Sequence, residues 1–130
     1  RAFDTTINIA RLMLSGTLDR FPILRFVFSH LGGAFFALKH RLNPGFWDKR
    51  PKGFFDKYKK NIFIDTAPPF WSPEEIRFAV HTMGEGQVLM GSDFPTIGLL
   101  KDAVKIIQKA KATNQVKRKL LGENARKLFR

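Results

Sequence analysis

Apolar positions along the chain follow two rhythms, helical stripes and short unbroken runs. From Thr5 to Ser15 they fall at Ile7, Ala10, Met13 and Leu14, a helical spacing that Gly16 ends. Leu24-Arg25-Phe26-Val27-Phe28 is a short run rich in aromatic and aliphatic residues. It predicts a strand buried on both faces, the kind found in parallel sheets. The run stops at Ser29-His30, ahead of the pair Gly32-Gly33. Ala34 to Leu42 predicts a second helix, stopped by Asn43-Pro44-Gly45. A looser stretch reaches Lys52, and Gly53 to Lys60 predicts a short helix.

Asn61-Ile62-Phe63-Ile64-Asp65-Thr66 reads as the second strand, and Ala67 to Trp71 as a loop. Ser72-Pro73-Glu74-Glu75 is a strong helix start, with Ser as N-cap, Pro in the first turn and Glu three residues after the Ser. Ile76, Ala79, Val80 and Met83 repeat at helical spacing until Gly84 closes the helix. Gln87 to Gly91 is the third strand and delivers Ser92-Asp93. Leu99 to Ala110 predicts a helix with Leu100, Ala103, Val104 and Ile107 on one face. Gln115 to Leu121 and Asn124 to Phe129 are the last helical pieces, hinged at Gly122.

Helix and strand alternate throughout, which implies an α/β fold of βαβ units with parallel pairing. Three strands are few, and an open sheet of that size exposes two edges. Two architectures fit: a small α/β domain with partners, or the later part of a larger α/β barrel.

Composition narrows the class. The 130 residues suit one domain, residues 1–130, and a hydrophobic fraction of 44% with 14 Phe supports a real core. No cysteine is present, which removes disulfide scaffolds and thiolate chemistry. No apolar run approaches the ~20 residues that span a bilayer, and no signal peptide is visible. A cytoplasmic protein without a membrane partner is the expectation. The chain starts at Arg1 rather than Met, which suggests that it is cut from something longer.

The net charge is +12. Residues 101–130 carry ten Lys/Arg against two acids, and residues 31–60 carry eight against two. The rest sums to −2. Solvated helix faces explain such runs. Aromatics interleave with the basic stretch from Phe46 to Lys60, so a basic nucleic-acid-binding module stands as an alternative of another class.

In parallel α/β folds chemistry gathers at the carboxyl ends of strands. Ser29-His30, Asp65-Thr66 and Ser92-Asp93 occupy those ends. A His and an Asp on separate strand tips suit metal ligation or acid–base work. Each also has a plain reading, a packed histidine before a Gly pair and an Asp turn cap. Asp65 either orients a ligand or caps its loop. Gly32-Gly33 either admits a ligand or only permits a tight turn. No P-loop, dinucleotide fingerprint or serine nucleophile elbow is present.

Four segments in order say more than their spacing. They are Asp19 to Gly33 with Phe26-Val27-Phe28-Ser29-His30-Leu31-Gly32-Gly33, then Ile62-Phe63-Ile64-Asp65-Thr66-Ala67, then Val88-Leu89-Met90-Gly91-Ser92-Asp93-Phe94-Pro95, then Leu121-Gly122-Glu123-Asn124-Ala125-Arg126 to Phe129. The series resembles the amidohydrolase-related family, which includes the aminocarboxymuconate-semialdehyde and hydroxybenzoate decarboxylases. The resemblance implies the C-terminal part of a metal-dependent (β/α)₈ TIM barrel, with its strands six to eight. It implies Asp93 as metal ligand and proton shuttle, and His30 as active-site acid/base or second metal ligand. The implied cofactor is a divalent metal, zinc first. Arg41, eleven residues after His30, would contact a substrate carboxylate in a neighbouring subunit of a homodimer. Phe94 and Trp71 would wall a small, anionic, aromatic or unsaturated substrate. Asn124 would cap the last helix and tie it to the barrel.

The family's His-x-His or Glu-x-His pair and a further histidine are absent from this chain, and whole barrels take about 250 residues. The leading expectation is a metal-dependent hydrolase in which metal-activated water attacks a carbonyl. The alternative within the family is a non-oxidative decarboxylase, in which the substrate takes a proton and loses carbon dioxide. The basic segments lie outside the proposed chemistry, which weighs against nucleic acid as the partner.

Overall fold

The computed structural model describes residues 1–42, 53–68, 72–96 and 99–130. The chain opens with α1 (Ala2–Leu14) and a single turn α2 (Thr17–Arg20), then β1 (Phe26–Phe28). A 3₁₀ turn (His30–Gly32) leads into α3 (Phe35–Leu38), which tightens to 3₁₀ over Lys39–Leu42. Next come α4 (Phe54–Tyr58), β2 (Ile62–Asp65), α5 (Pro73–Met83) and β3 (Val88–Leu89). α6 (Leu100–Lys109), α7 (Asn114–Arg118), a wide π-type turn (Lys119–Glu123) and α8 (Asn124–Leu128) close the chain. The expected hinge at Gly122 is that wide turn.

The strands form one parallel sheet in the order β1-β2-β3, as the alternation predicts. Phe26, Val27 and Phe28 align with Ile62, Phe63 and Ile64, and Ile64 and Asp65 with Val88 and Leu89. Successive side chains point to opposite faces. Phe26, Phe28, Ile62, Ile64 and Val88 therefore share the face that carries α1, and Val27, Phe63, Asp65 and Leu89 share the other. β2, the central strand, has both faces of its apolar run buried, and so does the short β3, with Val88 and Leu89 on opposite faces. β1 does not fit the expectation of burial on both faces. Val27 is 39% exposed, on the face of β1 away from α1.

The helix layer packs through Ile9 and Met13 of α1, Phe35 of α3, Phe55 and Tyr58 of α4, and Ile76, Ala79 and Met83 of α5. In α1 the inward face differs from the expected stripe. Ile9 and Met13 face the core, while Ile7 and Leu14 are about half exposed. The helix carries two apolar stripes, and spacing alone does not say which one meets the sheet. In α6 the core face is Ala103 and Ile107; Leu100, one turn earlier, is exposed. α5 starts as its sequence predicts. The Ser72 hydroxyl accepts from the Glu75 amide, the Glu75 carboxylate accepts from the Ser72 amide, and Pro73 occupies the first turn. Such caps contribute about 1 kcal/mol.

Two buried asparagines fasten the amino ends of the sheet. Asn61 Nδ2 donates to the carbonyls of Pro22 and Leu24, at 3.0 and 2.6 Å. Asn124 Nδ2 donates to those of Glu85 and Val88, at 2.6 and 2.8 Å. Asn124 thus ties α8 to β3 as expected. It does not cap α8, because it is that helix's first residue and its amide is committed to the strand.

Lys57 and Tyr58 of α4 both bond Asp19 of α2, at 2.7 and 2.9 Å. These bonds hold the Asp19 carboxyl below its ordinary pKa. Lys39 is buried with its ammonium 4.4 Å from the centre of the Phe55 ring. Burial pushes its pKa down, and nearby Asp56 works against that shift.

Candidate active site

Parallel pairing brings the carboxyl ends of all three strands to one edge of the sheet. His30 follows β1, Asp65 ends β2 and Asp93 follows β3. Among the described residues the non-glycine positions with positive φ are His30 (55°), Leu31 (53°) and Asp93 (55°). A left-handed backbone costs a side-chain-bearing residue roughly 1–2 kcal/mol. Such strain gathers where a side chain must be aimed. Two of these three residues are the ones that the sequence singles out.

Asp65 organises the edge. Its Oδ1 accepts the backbone amides of His30 (3.1 Å) and Ala67 (2.9 Å), and its Oδ2 accepts the Ser29 hydroxyl (3.1 Å). One carboxylate therefore fixes the turn after β1 and the loop after β2. Gly91 makes room for it, because a Cβ there would stand 2.8 Å from the Asp65 carboxyl carbon. Thr66 joins β3 to the same edge, its hydroxyl accepting from the Gly91 amide at 3.3 Å. Of the two readings left open for Asp65, the structure shows the loop-fixing one. Gly91 is missed by sequence reasoning, where a glycine ending a short strand carries no distinctive signal.

The Gly32-Gly33 pair also has its answer. A Cβ on Gly32 would crowd Ile64 and Ile9, and one on Gly33 would collide with the Ala2 carbonyl. Both glycines let the turn pack against α1 and β2. Thr6 of α1 completes the seal by accepting from the Ala34 amide at 2.9 Å.

The His30 ring is half-buried, with Nδ1 3.2 Å from the Ala67 carbonyl oxygen. A carbonyl only accepts, so Nδ1 carries the proton. In the neutral ring Nε2 then presents a lone pair, the form that binds metals or takes protons. Asp93 is half-buried, and its carboxylate has no partner among the described residues. Its main chain is held instead: the Thr96 amide donates to the Asp93 carbonyl at 2.8 Å. The next amide, that of Phe94, donates to the Ser92 hydroxyl at 3.3 Å.

His30 Nε2 and the Asp93 carboxylate are donors of the right chemistry for a divalent metal. Two donors fall short of the three protein ligands of a catalytic site. No group of three or more His, Cys, Asp or Glu side chains among the described residues is arranged to hold a metal ion. The described residues thus supply part of a metal site.

The other candidates separate. Phe94 adjoins Asp93 and is 72% exposed. Trp71 lies outside the described residues. Arg41 is exposed at the end of the 3₁₀ extension of α3. It lines a groove of about 450 Å³ with Ile7, Ala10, Phe35 and Leu38, none of them a strand-tip residue. No helix among the described residues is long and apolar enough to cross a membrane.

Comparison with known proteins gives a consistent picture. The model of one protein family, described as amidohydrolase (Amidohydro_2), matches residues 4–130. The 2-amino-3-carboxymuconate-6-semialdehyde decarboxylase of Dictyostelium discoideum is 26% identical over 94% of this chain and 35% of its own length. The crystal structure of 5-carboxyvanillate decarboxylase from Sphingomonas paucimobilis superposes with a TM-score of 0.83 at 27% identity, covering 98% of this chain and 40% of that one. The 5-carboxyvanillate decarboxylase of Novosphingobium aromaticivorans, complexed with manganese and 4-hydroxy-3-methoxy-5-nitrobenzoic acid, gives 0.81 at 25% identity, covering 98% and 39%. The chain spans about two-fifths or less of these proteins, so its sheet and helices are part of a (β/α)₈ barrel.

Proposed function

The chain belongs to the amidohydrolase family, and from that premise we propose that it is the C-terminal part of a metal-dependent, non-oxidative decarboxylase of small aromatic or unsaturated carboxylic acids. The observation that carries this reading is the joint placement of His30 and Asp93 on one sheet edge, each held in a left-handed backbone by its neighbours. The relatives named above favour decarboxylation over the hydrolysis that the sequence put first.

In this reading Asp93 and His30 contribute to a divalent-metal site completed by other residues of the whole protein. Manganese is the metal in the Novosphingobium complex, and zinc is the other candidate. When bound, the metal would supply a Lewis acid to the substrate. Asp93, whose carboxylate has no partner among the described residues, would take the proton of the substrate's carboxylic acid group and return it to the ring carbon. The ring carbon gains that proton, the bond to the carboxylate breaks, and carbon dioxide leaves with no change of oxidation state at the protein. His30 presents Nε2 to the substrate side, and Asp65 with the Ala67 carbonyl keeps the ring in that tautomer. Phe94 and Trp71 wall the substrate ring. Arg41 pairs with a substrate carboxylate in the neighbouring subunit of a homodimer.

The test is carbon dioxide release from hydroxybenzoates by the manganese-loaded protein that contains this chain. Release that disappears in both His30→Ala and Asp93→Asn supports the reading. Amide hydrolysis without carbon dioxide, or full activity in either variant, overturns it.

A further inference from the structure

The opposite edge of the sheet holds a second feature. At the amino ends of the strands lies a cavity of about 430 Å³. Its rim includes Arg25, just before β1, and Lys60, just before β2, with Lys119 and Lys127 from the C-terminal helical segment. Phe63 and Leu128 give it an apolar floor.

The charges around it do not cancel. Lys119 is paired with Glu85 at 2.7 Å, and Glu123, the one acid on the rim, lies 3.6 Å from Arg118. The side chains of Arg25, Lys60 and Lys127 have no partner among the described residues. Three uncompensated cations thus surround one concave site. Like charges gathered around one cavity repel one another, and an anion there relieves that repulsion.

We propose that this cavity binds a small phosphate-bearing anion. A phosphate group offers several acceptor oxygens at once, which suits a planar guanidinium beside two mobile ammonium groups. The floor of Phe63 and Leu128 accommodates the apolar part of an ester. The site lies across the sheet from His30 and Asp93, so it stands whether or not the decarboxylase reading does.

Calorimetric titration of the protein that contains this chain with inorganic pyrophosphate tests it. The expected result is saturable binding at one site, weakening as salt rises. The triple variant Arg25→Gln, Lys60→Gln, Lys127→Gln should lose about tenfold or more in affinity. Lys101→Gln, Lys109→Gln, Lys111→Gln removes the same charge from exposed positions elsewhere and should stay within about twofold. All six positions are exposed, and a circular dichroism spectrum checks that each variant folds. Absence of saturable binding, or equal loss in the two triple variants, overturns the site. Equal affinity for citrate overturns the assignment to phosphate.

Discussion

The two ends of one small sheet are built on opposite chemical plans. At the amino end, two buried amides donate to four carbonyls, from Asn61 to Pro22 and Leu24 and from Asn124 to Glu85 and Val88. Among the described residues no non-glycine residue there takes a positive φ, and each clamp joins segments far apart in sequence. At the carboxyl end, one carboxylate accepts from two amides and a hydroxyl, and His30, Leu31 and Asp93 stand in left-handed conformations. The amino end spends its polar groups on holding the chain together. The carboxyl end leaves His30 Nε2 and the Asp93 carboxylate without partners among the described residues. Stability and chemistry are therefore separated along the strands, and substitutions at the two edges should respond differently.

The largest stability effect should come from Asn124→Ala. It strips two carbonyls of their donor in a buried place, and denaturant unfolding should show a loss of about 3 kcal/mol. Asn61→Ala, which removes two part-buried hydrogen bonds, should cost about 2 kcal/mol. Asp65→Ala at the other edge should also cost about 2 kcal/mol, by freeing two part-buried amides. It differs in kind, because it also releases His30 from its orientation. The imidazole resonances in NMR spectra should then report loss of the fixed Nδ1–H tautomer. The same resonances in Asn124→Ala should stay unchanged.

Asp93→Gly sharpens the contrast. It removes a side chain without partners among the described residues from a left-handed position, so the folded chain should hold its stability or gain up to about 1 kcal/mol. A loss of 2 kcal/mol or more would show that Asp93 is structural after all. Lys39, in the helix layer between the two edges, provides the smallest effect. Lys39→Met should raise the melting temperature slightly, by removing a buried charge of similar volume. Lys39 releases its proton more readily when folded, so it contributes a rise in stability as pH climbs toward 10.5. That contribution should be missing from the variant.

Much of this plan is legible in the sequence. The alternation of stripes and runs yields the parallel sheet, and the cap at Ser72-Pro73-Glu74-Glu75 marks α5 to the residue. His30 and Asp93 stand out because parallel pairing must bring strand ends together. Other features depend on partners distant in sequence. Ile9 rather than Ile7 faces the core because the sheet meets one of two apolar stripes on α1, and no local pattern decides between them. Asp65 becomes an organiser only when β1 and β3 flank it, and Gly91 matters only because of Asp65. The basic residues behave likewise. Arg25, Lys60 and Lys127 are unremarkable in sequence, yet the fold gathers them around one cavity.

The central claim is that the carboxyl edge, through His30 and Asp93, is where a divalent metal binds. Titration of the isotope-labelled whole protein that contains this chain with manganese, followed by paramagnetic broadening of its backbone NMR signals, tests it directly. The account predicts that signals of residues 29–31 and 92–94 broaden first, and that His30→Ala or Asp93→Asn weakens this broadening. Broadening centred on another carboxylate such as Asp19 or Asp102, or broadening that both variants leave intact, would contradict it.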